Sequence, residues 1–250
     1  MNYRTAFTGW VEEIMENNPY APPASSVEGA PEVAGENVES DFRDLSGISK
    51  KLSVVLLIGI GLQILGIVSS LMQLNLLSHE HFSMQSATAN DLREHEVAVL
   101  QVLLYIATAI VFGRWIYLAH RNLPSLDARY LRFRPGWAIG CFFVPIINLW
   151  APYQAMRDLA KASRSPGHWE LEDTPPVIII WWVLWLIVGF MERGTAGAGL
   201  RARTAPELFN LTIFQLVAAV FSISLYLLAL YIVRRIARDQ SESYSRMTAS

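Results

Sequence analysis

The sequence predicts an all-α, polytopic helical membrane protein with four transmembrane helices plus one Pro-broken re-entrant or interfacial helical segment. Three observations carry this expectation. The chain is 52% hydrophobic and only 17% charged, with a mean hydropathy of +0.29, outside the usage of soluble domains. It contains five long runs free of Asp, Glu, Lys and Arg, each near or above the roughly 20 residues that cross a hydrocarbon core about 30 Å thick, and one of them, 135–156, is broken by internal prolines. Its charge is also divided: residues 1–47 hold nine acidic side chains against Arg4 and Arg43, a net −7, so the remainder carries +5 of the overall −2. A polar acidic tail precedes a basic apolar body. This excludes a cytosolic enzyme with one globular core, a disulfide scaffold and a strongly basic nucleic-acid binder.

Residues 1–47 read as a disordered, Pro-rich cytoplasmic tail, because ENNPYAPPASSVEGAPEVAGENVESD cannot bury enough apolar surface to offset its ordering entropy. Phe7, Trp10, Val11 and Ile14 suit one short amphipathic turn, marginal by itself. Met15 opens a second start, MENNPYAPP. The segment lacks the basic, apolar and small-residue order of a cleaved signal peptide. Cys141 is the single cysteine, so neither an intramolecular disulfide nor a multi-cysteine zinc site can form.

The helical membrane domain is expected over 48–238, with spans at about 52–77, 97–119, 174–191 and 208–233, and a disordered cytoplasmic tail over 239–250. The first span contains GIGLQILG, an echo of a nucleotide-binding glycine loop without its strand and helix start; close helix packing explains it better. The second span includes Arg114, which reads either as an intramembrane functional group or as a side chain snorkelling to the headgroups. In the third, Pro175 and Pro176 suit a helix start, while Trp181, Trp182 and Trp185 read as packing or interfacial anchors ahead of a ligand platform.

Residues 135–164 differ. Pro145 and Pro152 interrupt an uncharged run with Asn148 between them, and proline removes a backbone donor. Residues 136–150 would span about 22 Å as a helix, suited to a half-membrane excursion. Beyond them, Tyr153, Met156, Leu159 and Ala160 share a face opposite Arg157, Asp158, Lys161 and Arg164, the pattern of an interfacial helix. Basic residues favour the cytoplasmic side. Lys50 and Lys51 place the first span's start there, residues 78–96 with Arg93 against four acidic groups lie outside, and Arg121, Arg129, Arg132 and Arg134 return inside. If 136–150 crossed fully, Arg157, Lys161, Arg164, Arg234, Arg235 and Arg238 would lie outside. If it turns back, both clusters stay inside and only Arg193, Arg201 and Arg203 violate the rule.

Catalytic signals are thin. His79, Glu80 and His81, with Asp91, Glu94, His95 and Glu96, lack the His-Glu-x-x-His spacing of helical zinc hydrolases. The expected spans hold no paired nucleophile and base. Gln63, Gln73, Gln101, Gln154, Asn210 and Gln215 suit interhelical hydrogen bonding. No catalytic residue, metal ligand or cofactor is predicted.

The stretches FGRWIYLAHRNLPSL, RFRPGWAIGCFFVPIINLWAPYQAMRDLAKAS and IIIWWVLWLIV resemble the bacterial membrane family known as domain of unknown function 4328. The carrying residues are Trp115, Arg121, Asn122, Leu123, Pro135, Gly136, Trp137, Val144, Pro145, Ile146, Asn148, Leu149, Pro152 and Tyr153, within a resemblance covering about 52–235. NPYAPP also resembles the leader of many small bacterial membrane proteins. The resemblance implies a multi-pass bacterial inner-membrane protein and brings no activity, cofactor or catalytic residue.

The expected function is therefore a non-catalytic membrane module whose broken segment offers an inner-leaflet platform to a protein or lipid partner. The candidate residues are Arg114, Arg121, Asn122, Pro135, Trp137, Pro145, Asn148, Pro152 and Tyr153. The alternative is an oligomeric small-solute channel or transporter using that segment; weaker still is a metal-dependent lipid head-group enzyme using His79, His81 and His95. Expected partners are membrane lipids, an unidentified protein and further copies of the chain, with no nucleic acid.

Overall fold

The computed structural model describes residues 42–78 and 84–249, and all its regular elements there are helical. Six α-helices follow in order: α1 (Ser46–Leu77), α2 (Met84–Arg121), α3 (Pro135–Gly140), α4 (Ala151–Arg164), α5 (Pro176–Gly199) and α6 (Ala205–Thr248). Short 3-10 turns occupy Pro124–Leu126, Ile147–Leu149 and Pro166–Leu171. α1, α2, α5 and α6 are long and apolar enough to cross a membrane. Residues 1–41, including the expected amphipathic turn and most of the tail, lie outside the described residues, as do His79, Glu80 and His81.

Local chemistry sets the starts. Asp44 accepts hydrogen bonds from the Ser46 amide, 2.8 Å away, and from its hydroxyl, which hold its carboxyl below the usual carboxylate range. α6 opens with a reciprocal Thr204–Glu207 capping box, in which Glu207 receives the Arg203 amide at 2.8 Å and the Thr204 amide at 3.2 Å; orphan donors of the first turn are thereby satisfied. Pro135, Pro152 and Pro176 all fall in first turns, where a missing N–H is tolerated.

The long helices pack in the order α2, α1, α6, α5. Phe42 stacks on Tyr244 with centroids 4.1 Å apart, so the beginning of α1 and the end of α6 share one end of the bundle, termed proximal. The end of α2 joins them, since Trp115 Nε1 donates to Ser49 Oγ at 2.9 Å. The start of α5 is there too, with Phe112 and Trp181 centroids 6.3 Å apart. Residues 122–175 therefore leave and return at the same end. Their deepest contacts fix the excursion: Phe142 meets Phe112 at 6.2 Å and Trp185 at 6.0 Å. Both partners lie nine residues inside their helix ends, or about 14 Å, so the segment dips to about half the depth of a hydrocarbon core.

This dip decides where the core sits. The buried apolar cluster draws on Leu45, Leu52 and Leu56, on Trp115 and Ile116, on Met156 and Leu159, and on Ile178, Trp181, Val233 and Ile236, all from the proximal half. Across the distal half, α1 and α2 are joined by a polar clasp in which Arg93 Nε donates to Ser69 Oγ at 2.8 Å and Ser69 bonds Glu94.

Several expected boundaries are corrected. Residues 84–96 are helix, not loop, and α5 continues past Met191 to Gly199. Residues 239–248, expected to be a disordered tail, continue α6. The reason is tertiary: Gln240 and Ser243 are buried, Tyr244 is stacked, and Arg235–Asp239 pairs at 3.0 Å one turn apart. Residues 42–47 likewise leave the expected tail, with Leu45 only 2% exposed. α4 is also more enclosed than an interfacial helix. Asp158, expected on its wet face, is 3% exposed, neutralised by Arg157 at 2.8 Å and Arg132 at 3.7 Å; a buried carboxylate requires such pairing.

The fold predicts sidedness. In a Cys141→Ala background, Gly167→Cys and Ser245→Cys should react alike with an impermeant thiol reagent on intact cells, and Ala198→Cys should behave oppositely. Asp91→Cys, toward the distal end of α2, should label as Ala198→Cys does; a label matching Gly167→Cys instead would mean that the dip crosses after all.

Candidate functional site

At the proximal end, two fully buried amides join four parts of the chain. Asn122 and Gln240 are each 0% exposed. Asn122 Oδ1 accepts the Arg43 amide at 3.0 Å, while its Nδ2 donates to the Arg43 carbonyl at 2.8 Å and to Gln240 Oε1 at 2.9 Å. Gln240 Nε2 donates to the Ala119 carbonyl at 2.9 Å and to Ser163 Oγ at 3.0 Å. Ser163 Oγ in turn donates to the Leu159 carbonyl at 2.7 Å, and Ser243 Oγ to the Ser163 carbonyl at 3.0 Å. Inside a low-dielectric core such a network is worth having only when its members are satisfied, and here they are. It holds the chain before α1, the end of α2, α4 and α6 in one register.

On that base sits the broken segment. The Ile147 amide donates to the Pro145 carbonyl at 2.8 Å, closing a γ-turn in which Ile146 has φ 69° and ψ −58°. For a β-branched residue this is a strained backbone. Asp127 and Tyr130 also have positive φ, so all three such non-glycine residues among those described fall between α2 and α4. Residues held this way persist where surrounding structure over-determines them. Trp169 supplies part of that hold, donating its indole N–H to the Arg129 carbonyl at 2.9 Å while Lys161 lies 6.0 Å over its ring. Arg164 hydrogen-bonds Glu172 and keeps its carboxyl below the usual range.

The candidate residues separate into distinct settings. Asn122 and Pro152 are buried, Arg121, Pro135, Asn148 and Tyr153 are half-buried, and Arg114, Trp137 and Pro145 are exposed. Tyr153 packs on Trp182 at 5.4 Å, with Arg157 5.8 Å over its ring. Asn148 Oδ1 is buried without a hydrogen bond. Arg114 lies on the outer surface of α2, so the structure does not bring it to Asn148. Gln240, Ser163 and Ser243 were missed because nothing in a polar, charged C-terminal stretch marks it as docked. The only available sign was Gln240 continuing the α6 face of Val233 and Ile236.

Phe143 (73% exposed), Ile146 (71%), Trp137 (48%) and Trp150 (45%) form an outward apolar and aromatic rim on the dip. Tyr130 and Leu171, at 87% and 84%, are the two most exposed large apolar side chains among the described residues. The Trp169–Arg129 bond places their loops side by side. Basic groups from Arg129, Arg132, Arg134, Arg157, Lys161 and Arg164 surround this end. Chemically the surface suits binding, through apolar contact and positive charge, and among the described residues no group of three His, Cys, Asp or Glu side chains is gathered for a metal.

A polar knot, a half-depth dip and four membrane-length helices define a polytopic helical membrane protein. The family described as domain of unknown function 4328 matches residues 79–238, well over half of the chain, and the protein belongs to it. The match leaves out the chain before α1 with Arg43, α1 itself, and the last turns of α6 with Gln240. No curated protein and no solved structure matches the chain.

Asn122→Ala or Gln240→Ala should cost about 2–3 kcal/mol, because each strands buried partners. Arg114→Gln should stay within about 0.5 kcal/mol as a surface change, and Ile146→Gly should gain about 1 kcal/mol by releasing the positive φ. Unfolding in detergent followed by tryptophan fluorescence tests all three. A separate test concerns acid. Glu172 titrates lower in the folded chain than in the unfolded one, so its tie to Arg164 stabilises above pH 4.5 and is lost as pH falls through the folded value. Glu172→Gln should flatten that acid dependence.

Proposed function

We propose that the protein is a non-catalytic module of the bacterial inner membrane, with its proximal end cytoplasmic, that presents an inner-leaflet platform to a lipid or protein partner. The observation that carries this reading is the exposed Tyr130–Leu171 pair on loops pinned by the Trp169–Arg129 bond. Together with exposed Trp137, Phe143, Ile146 and Trp150 they give this end apolar surface rimmed by charge, the composition of an interaction site. Charge supports the same orientation. Lys50, Lys51, Arg129, Arg132, Arg134, Arg234, Arg235 and Arg238 gather at this end, as cytoplasmic loops and anionic leaflets favour. The rim of Trp137, Phe143 and Trp150 fits the headgroup level, where amphipathic rings settle.

An oligomeric solute pathway through the dip draws on the unpartnered Asn148 Oδ1, since non-helical backbone at depth is tolerated beside water. Arg114, turned outward, does not contribute to it. A photo-crosslinking residue at Tyr130 or Leu171 should give a discrete lipid or protein adduct that is lost in an Arg132→Gln, Arg134→Gln background. Probes at Ile110, on the outer face of α2, should give bulk lipid only. Bulk lipid adducts at every position would reject the platform.

A further inference from the structure

A second polar site lies away from the proximal knot, between α2 and α5. These helices are the outer members of the packed row, and they meet at the proximal end around the wedge formed by Phe142 between Phe112 and Trp185. Two turns farther along, the i to i+7 spacing keeps a residue on the same helix face. That residue is Tyr105 on α2, seven before Phe112, and Glu192 on α5, seven after Trp185. They therefore lie about 10 Å beyond the wedge, on the same helix faces as Phe112 and Trp185. None of residues 98–106 on α2 is buried, and Glu192 itself is exposed.

The floor is polar as well. Tyr226 of α6 lies across α1, where a Cβ on Gly59 would stand 3.0 Å from its ring, tighter than ordinary contact, so glycine lets the ring lie close. Its hydroxyl is in electrostatic reach of both Tyr105 and Glu192. Ser222, one turn from Tyr226, is 3% exposed. Its hydroxyl faces the Glu192 carboxyl without a well-formed hydrogen bond. Arg193 turns its guanidinium back to the Gly189 carbonyl at 2.8 Å, and among the described residues none forms an ion pair with Glu192.

We propose that Glu192, Ser222, Tyr226 and Tyr105 line an intramembrane cleft that binds a lipophilic organic cation. A carboxylate on a membrane-length helix is costly without a positive partner, and Glu192 has no ion pair among the described residues. Tyrosine faces attract cations, above all alkylated or aryl ones whose charge is weakly hydrated. The Phe142, Phe112 and Trp185 base suits an apolar body beneath that charge. The site is independent of the platform, which lies at the other end of the dip.

The test is equilibrium binding of radiolabelled tetraphenylphosphonium to the full chain in nanodiscs of zwitterionic lipid. Saturable binding above that of empty nanodiscs is expected, weakened about tenfold by Glu192→Gln and several-fold by Tyr105→Leu, an exposed position where loss of fold is not at issue. Uptake equal to empty nanodiscs, or full affinity in Tyr105→Leu and in a folded Glu192→Gln, would overturn the proposal. So would displacement by sodium ions or equal binding of the anion tetraphenylborate, since either would show that the charge and the apolar body are not read together.

Discussion

The proximal end depends on one constraint: a chain that turns back inside a membrane must satisfy its polar groups without water. Asn122 and Gln240 meet it. Their side chains bond to one another and to backbone or hydroxyl groups from the chain before α1, the end of α2 and α4. Because both are fully buried, none of these bonds competes with solvent. The network fixes α4 against α6, and α4 closes the space into which residues 135–150 descend.

The dip then changes how the helices pack. Four long apolar helices alone have little reason to choose one arrangement in lipid, where association rests on close packing and interhelical polar contacts. Here Phe142 stands between Phe112 and Trp185, so the proximal halves enclose a packed aromatic core. The distal halves lack such a filler. They are joined by the Ser69–Arg93–Glu94 clasp and by small residues such as Gly59, over which Tyr226 lies flat. One segment thereby makes the two halves unlike: a strained, basic, aromatic collar over a packed core at one end and a few polar contacts toward the other.

How much of this was legible beforehand varies with the kind of signal. Long apolar runs, one of them carrying Arg114, identified the four spanning helices, since length and scarcity of charge are enough to favour lipid. Pro145, Asn148 and Pro152 located the break, and the placement of basic residues argued that it returns, as the shared ends of α2 and α5 bear out. Asn122 was singled out within its motif, though its burial was not foreseen. The site's other half was hidden. Gln240, Ser163 and Ser243 lie in stretches whose composition reads as solvated, and Glu192 stood just beyond the run taken as the third span.

The sequence by itself determined the class of protein, the four membrane helices and the position of the break, because those follow from local hydropathy and from the backbone chemistry of proline. Tertiary structure alone decided that residues 239–248 are a docked helix rather than a tail, that Asp158 is buried where Arg132 reaches it, and that Phe142 stands between Phe112 and Trp185. Each of those outcomes depends on partners 25 to more than 100 residues away in the chain. A polar side chain reads the same in sequence whether water or another amide satisfies it, and only packing chooses between them.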